Sequence, residues 1–360
     1  MNNFSQKMSE ILNHGALNLA IAIGYRNRIF DILEELNRPV TVSELAAASG
    51  LSARYLKEWL GVMATGEIIE LSHTPEGDDA YFLPPEHAAL LTRKAGSNNM
   101  GVYAQEIPLL TVCALESVHS GFTTGAGIPF SQYPDFQQFM AELSDAKHRK
   151  VLIDQFLPSV GNGALAARLE DGIRVCDLGC GQGVAVHLMA QAFPQSTFTG
   201  IDNHAEAIQT AQGEAQRMGL ANAAYIAVDA AKISGNTEFF QRFDYVCAFD
   251  AIHDQSHPLE ALKGVRYMLA PGGSFSMIDI KAGSRQADNL EHPMGPFLYT
   301  VSLMHCMPVG LNDHGAGLGM MWGHEKATAL LREAGFDQIE VIEMEHDPFN
   351  IHYLCKLSCQ

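Results

Sequence analysis

Long apolar runs are missing from this chain. No stretch approaches the roughly 18 residues that a membrane span requires; the most apolar early segment, Ala16 to Gly24, is short and contains Asn18. No basic segment with a small-residue cleavage site opens the sequence, so no secretory signal is expected and a cytoplasmic location is. Clusters of lysine and arginine are also missing. The formal net charge is −18, a field that repels phosphate backbones and acidic lipid surfaces, so neither nucleic acid nor membrane is an expected partner. A cationic ligand is tolerated. Internal repeats and low-complexity tracts are absent. Seven cysteines, an odd number, lie mostly in apolar or strand-like segments, which fits free buried thiols in a reducing compartment. Neither Cys176 with Cys180 nor Cys355 with Cys359 has a second pair or a close histidine, so no structural metal is expected.

What remains is an ordinary globular composition, 47% hydrophobic and 18% charged over 360 residues, long enough for more than one structural unit. Residues 4–36 carry apolar side chains at helical spacing, Ile11, Leu12, Leu19, Ile23, Ile29, Phe30, Leu33 and Leu36 among them. Pro39 ends the pattern. Thr41 and Ser43 are good helix starts and Gly50 a good stop. A second helix follows through Tyr55, Leu56, Leu60 and Met63, and a short hairpin pairs residues 68–71 with 81–83. Helix, turn, helix and hairpin describe a winged helix. From Ser43 to Leu91 there are eight acidic residues against Arg54 and Lys57. Glu76, Asp78 and Asp79 occupy the wing tip, where a DNA reader carries basic side chains. A packing and dimerisation module is therefore favoured over a DNA-binding one.

Residues 95–165 read as mainly helical, broken between Gly121 and Pro134. Tyr103, Phe122, Phe130, Tyr133, Phe136 and Phe139 gather there, as core or as cover for a pocket. Beyond Ile173 strands and helices alternate: strands at 174–178, 197–201, 224–228, 243–249 and 274–280, then 338–345 and 351–357 joined by a turn. That is an α/β doubly wound sheet with helices on both faces. The expected domains are 1–95 (helical and winged-helix, dimerisation), 96–165 (a helical connector contributing to the active-site cover) and 166–360 (the ligand-binding Rossmann-like domain).

The sharpest motif is Asp177-Leu-Gly179-Cys-Gly181-Gln-Gly183, between a strand and a helix. Glycines there allow a tight bend and close approach to a ligand, and a helix N-terminus favours an anionic group. The third glycine comes one residue earlier than in a dinucleotide fingerprint, which weighs against a nicotinamide cofactor. Asp202, at the next strand end, stands where a ribose lies and can accept from both hydroxyls. Asp229, at the third strand end and followed by Ala230, can accept from an adenine amine. Asp177 and Asp250 complete the candidate cofactor-binding set at the same edge.

This order of motifs resembles class I S-adenosylmethionine-dependent methyltransferases, and the terminal antiparallel strands fit that family. The resemblance implies a Rossmann-like seven-stranded methyltransferase sheet with an N-terminal, mostly α winged-helix domain. It implies S-adenosyl-L-methionine as cofactor, with Gly179, Gly181 and Gly183 at its methionine end, Asp202 at the ribose and Asp229 at the adenine. Phe249-Asp-Ala-Ile-His-Asp-Gln255, His292-Pro-Met-Gly-Pro-Phe-Leu-Tyr299, Met304-His-Cys-Met307 and Gly315 to Gly323 look like a bacterial family of winged-helix methyltransferases, often labelled transcriptional regulators. Some relatives methylate small thiols. Similar two-domain O-methyltransferases form dimers, so a homodimer acting on a small-molecule substrate is implied. The sequence departs from the family pattern around Pro308 to His314, a stretch implied to border the acceptor pocket.

Methyl transfer requires alignment of a nucleophile with the sulfonium carbon and exclusion of water. An oxygen acceptor needs a base, whereas a thiol is already partly ionised near neutrality. The expected reaction is direct in-line transfer to a thiol sulfur or to a hydroxyl or carboxyl oxygen. A ligand-sensing DNA-binding regulator built on the same fold is the alternative. His253, just past the fourth strand, is the first candidate catalytic residue, with Asp250 and Asp254 near it. His305, beside Cys306, is the second. The long connection from Lys281 to His324 is expected to cover the pocket. Tyr133, His292, Tyr299, His305, Cys306 and Trp322 are the candidate pocket residues, with packed core or metal ligands as competing readings of this histidine-rich stretch. No metal is assigned.

Overall fold

The computed structural model describes residues 3–133 and 136–357, leaving aside the side chains at 97, 137, 144, 146 and 150. Pro134 and Cys359, both used in reading the sequence, lie outside the described residues. The chain forms two units, Met1–Leu109 and Leu110–Gln360. The stretch 96–165 is thus divided: its first part belongs to one unit and the remainder to the other.

In the first unit, helices span Asn3–Arg26, Ile29–Leu36, Val42–Ser49, Ala53–Thr65 and Pro85–Leu91, with β1 (Glu70–His73) and β2 (Asp79–Phe82) between the last two. The wing strands pair antiparallel, with β1 two residues later than expected. Thr41 and Glu44 form a reciprocal capping box at Val42–Ser49, and Gly50 closes the helix in the left-handed conformation. Trp59 anchors the unit: its Nε1 donates to the Ala20 carbonyl at 2.8 Å and its ring meets Phe30 edge-on. A side chain at Gly24 would collide with that indole at 2.4 Å.

The second unit is built on β3 (Arg174–Leu178), β4 (Thr197–Asp202), β5 (Ala223–Ala227), β6 (Phe243–Phe249), β7 (Leu269–Ile280), β8 (Gln338–Glu343) and β9 (Asn350–Lys356). Their order is β5-β4-β3-β6-β7-β9-β8. Strands β3 to β7 pair parallel, and β9 runs antiparallel to β7 and β8. The seven-stranded α/β sheet expected from sequence is the observed one. Side chains alternate across it: Val246 and Ala248 of β6 join the core beneath helices Pro258–Met268 and His324–Glu333. Tyr245 and Cys247 join the opposite core, under Val184–Ala192 and Ala205–Met218. Burial on both faces explains why these strands read as near-continuous apolar runs. The chain runs outward from β3 to β5, then crosses to β6, which places the switch of direction between β3 and β6. A ligand crevice belongs there, outside the carboxyl ends of the strands. Among the described residues no helix is long and apolar enough to cross a membrane.

Candidate active site

A cavity of about 430 Å³ opens at that switch point, entirely within the second unit. The bend after β3 forms its floor. Gly179, Gly181 and Gly183 all have positive φ, and the Gly179 and Cys180 amides donate to the Ile201 carbonyl. A Cβ on Gly179 would stand 2.4 Å from that of Ala251, so only glycine fits there. Gly181 lines the cavity, whereas Gly183 does not. Its missing side chain instead admits Tyr225, whose Cε1 would lie 2.7 Å from a Cβ.

Carboxylates at successive strand ends surround this floor. Asp202 Oδ2 accepts from the Gly181 amide at 2.9 Å and Oδ1 from the His204 amide at 2.8 Å. Each oxygen keeps a lone pair for a further donor. Burial raises the Asp202 pKa, opposed by those two amides. Asp229 Oδ1 accepts from the Ala231 amide, and Lys232 lies 3.2 Å from Oδ2. Asp177 is fully buried at the cavity base; burial pushes its pKa up to about 7, with the Asp202 charge adding to the effect. Asp250, in left-handed backbone (φ 50°), is clamped by Lys147 at 3.0 Å and by the Asn350 amide. Burial would raise its pKa, but Lys147, His253 and the Asn350 amide together outweigh that and hold it low. Lys147 also meets Asp347 at 3.0 Å. Among the predicted cofactor residues, Asp177, Gly179, Gly181, Asp202, Asp229 and Asp250 line the cavity, and Gly183 and Ala230 do not. Ala230 is buried in the core alongside Ile233 and Leu262.

The rest of the lining comes from residues distant in sequence: Phe130, Phe136, Met140, His148, Asp254, Val309 and Asn312, with Phe130 also packed 5.5 Å from the His204 ring. His148 is buried and its pKa falls to about 3, through burial and then the neighbouring Lys147. Val309, Asn312 and Asp313 bring the 308–314 stretch to the cavity edge. Asp313 and His314 both have positive φ.

His253 does not line the cavity. Its ring is buried, with Nδ1 hydrogen-bonded to Asp279 Oδ1 at 2.8 Å and Nε2 3.5 Å from Asp254 Oδ1. Burial alone would lower its pKa, yet Asp279 and Asp254 together raise it well above the ordinary histidine value. The two carboxylates thus favour the protonated form of the ring, which makes it a poor general base. Asp279, wholly buried in β7, also accepts from Trp322 Nε1 at 3.1 Å and from the Ile280 amide. Sequence reading missed Asp279. The available signal was a charged residue in an otherwise apolar buried strand, which requires a partner.

The remaining pocket candidates lie off the cavity wall. His305 is stacked on Phe136 at 4.0 Å and meets Tyr133 edge-on, one ring behind the wall. Burial lowers its pKa to about 4, and its Nε2 has no hydrogen-bond partner. Tyr133 donates to the Met304 carbonyl. His292 is held by Lys281 and Met294, Tyr299 by Asn289, and Trp322 by Asp279. None of the four lines the cavity. Cys306 is buried, and its thiol, His253 and Asp254 bring their ligand atoms within 4.8 Å of one another. A π-helical turn, Ser302–Cys306, presents His305 and Cys306, a distortion frequent at functional sites.

Comparison with known proteins agrees with this geometry. Residues 169–335 match the model of a methyltransferase domain, and residues 15–93 that of an Rv2258c-like winged HTH domain. The fold is similar to human N-acetylserotonin methyltransferase in complex with SAM, at TM-score 0.70 and 16% identity, covering 99% of this chain and 98% of that one. It is also similar to the mitomycin 7-O-methyltransferase MmcR, at TM-score 0.68 and 18% identity, covering 98% and 97%. At such identity the likeness is one of fold. An arsenite methyltransferase from Aquipseudomonas alcaligenes is 29% identical over 151 residues, 39% of this chain and 44% of that protein. The chain spans from about a quarter to under half of the length of the curated relatives it matches.

Proposed function

We propose, for a chain that carries a methyltransferase domain behind a winged-helix domain, that it transfers a methyl group from S-adenosylmethionine to a small molecule bearing a thiol or hydroxyl group. One observation carries this reading: a single cavity gathers the glycine bend, the carboxylates ending β3, β4 and β6, and Asp229 just beyond β5. Asp202 accepts the ribose hydroxyls with its remaining lone pairs, Asp229 takes the adenine amine, and the Gly179–Gly181 backbone borders the methionine end. The sulfonium is a cation, and six aspartates line the cavity (177, 202, 229, 250, 254 and 313). A carboxylate acceptor is disfavoured on the same ground, since Lys147 is already engaged by Asp250 and Asp347.

At the acceptor end Asp254 is the residue that meets substrate, and His253 is a positioning residue that acts through it, itself fixed by Asp279. His305 supports the Phe130–Phe136 wall from behind. When bound, the cofactor supplies the electrophilic methyl carbon; the cavity aligns the nucleophile with it and excludes water. The test is S-adenosylhomocysteine release across a panel of small thiols, phenols and carboxylates. Turnover confined to thiols or hydroxyls is expected; silence across the panel, with cofactor bound, overturns the reading.

A homodimer is also proposed. Phe4, Met8, Ile11, Leu12, Leu19 and Ile23 are all exposed along the first helix, a longer apolar stripe than an isolated surface helix carries. Sedimentation equilibrium should give twice the chain mass; a monomer at micromolar concentration removes the proposal.

A further inference from the structure

We infer that His253, Asp254 and Cys306 form a binding site for a divalent, thiophilic metal ion such as zinc, at the acceptor end of the cavity. Three donor types suited to zinc, an imidazole nitrogen, a carboxylate oxygen and a thiolate sulfur, lie within 4.8 Å of one another. Tetrahedral zinc with bonds of about 2.0–2.3 Å separates its ligands by about 3.3–3.8 Å, so side-chain rotations of about an ångström complete the geometry.

The surroundings are those of a metal site. His253 Nδ1 is bound to a buried carboxylate, Asp279 Oδ1, at 2.8 Å, which turns Nε2 toward Asp254. Ligating histidines are oriented in this way by a carboxylate on the far nitrogen. Asp279 is in turn fixed by Trp322 and the Ile280 amide. Asp254 Oδ1 is buried without a hydrogen bond and faces His253 Nε2 at 3.5 Å, a pair of ligand atoms held apart by more than a hydrogen-bond length. Cys306 comes from the π-helical turn at Ser302–Cys306, far along the chain from His253, so the fold itself has brought the three together. Asp254 also lines the cavity, and that side is left open for a fourth ligand.

This inference rests on the methyl-transfer reading and names the acceptor class: a small thiol. Metal uptake releases the Cys306 thiol proton and the His253 Nε2 proton to solvent. A thiol entering the fourth position loses its proton to solvent and binds as thiolate. Its sulfur then attacks the methyl carbon; the carbon–sulfonium bond breaks, its electron pair stays on the departing sulfur, and a neutral thioether forms. No oxidant or reductant is involved. A thioether is a weaker ligand than a thiolate, so product leaves.

The experiment is titration of the chelator-stripped full-length protein with zinc alone by calorimetry, and with cobalt(II) alone by absorbance. S-adenosylhomocysteine binding is measured separately on each variant as a check of fold. Wild type is expected to take one equivalent of zinc and to develop a thiolate-to-cobalt charge-transfer band. Cys306→Ser should lose that band, and both Cys306→Ser and Asp254→Asn should bind zinc at least about tenfold more weakly. No stoichiometric uptake, or an unchanged band in Cys306→Ser, overturns the site. Loss of S-adenosylhomocysteine binding in wild type would count against the cofactor reading alone.

Discussion

The two ends of the cavity are built by different means. The cofactor end is made of backbone: a glycine bend, two amides on Asp202, and carboxylates that end consecutive strands. The proposed acceptor end is lined by side chains that converge from residues 129–148, 254–257 and 309–313. Backbone geometry leaves a local mark in sequence, because a left-handed bend demands glycine at fixed positions. Convergence of distant side chains leaves none until the sheet has been assembled.

That difference can be broken or sharpened by substitution. The largest effect is expected at His253→Leu, which leaves Asp279 buried without its counter-charge; stability should fall by about 3–5 kcal/mol in denaturant titration. A fall below 1 kcal/mol would mean that the acceptor end is not held by this ion pair. Next comes Gly179→Val at the cofactor end. Positive φ and a 2.4 Å approach to Ala251 together impose strain of about 3 kcal/mol or more, so S-adenosylhomocysteine affinity should drop at least about 100-fold. Asp202→Asn should weaken the same ligand by about 10–100-fold, the worth of a charge-assisted hydrogen bond, with the melting temperature little changed.

Asp177 gives a pH test of intermediate size. Its folded pKa is near 7 against an ordinary value of 3.8. Between those limits the folded state holds a proton that the unfolded state lacks, so this group lowers stability as pH rises from about 4 to 7, with no further change above. Its charge also favours a sulfonium. The preference for S-adenosylmethionine over S-adenosylhomocysteine should therefore diminish as pH is lowered from about 8 to 6, and should become flat in Asp177→Asn. The smallest effect is expected at His305→Phe. An unpartnered buried Nε2 costs stability, so replacing the ring should leave stability unchanged or raise it by about 1 kcal/mol. A loss would show that this nitrogen has a partner.

Legibility followed the same division. The strands at 174–178 and 243–249 agree with the structure to the residue, because their apolar runs are local. Asp177, Asp202 and Asp229 were named from their places at strand ends, and the structure puts all three on the cavity wall. Asp279 was not, although its charge within Phe275-Ser-Met-Ile-Asp-Ile280 called for a partner. Nor were Lys147, His148 or Asn350, whose helix and strand meet Asp250 only through the tertiary fold. His292, Tyr299 and Trp322 were counted toward the pocket by residue type, yet side-chain type alone cannot distinguish a pocket wall from the packing beneath it. The winged helix was legible from its caps, and its acidic tip argues that the motif packs or pairs chains instead of reading DNA.

The most direct measurement is a crystal structure of the protein soaked with S-adenosylhomocysteine. The ribose hydroxyls should lie on the Asp202 carboxylate, the adenine by Asp229, and the ligand sulfur should face Asp254 across the open end of the cavity. A ligand seated elsewhere, or a sulfur turned away from Asp254, would contradict the assignment of the two ends.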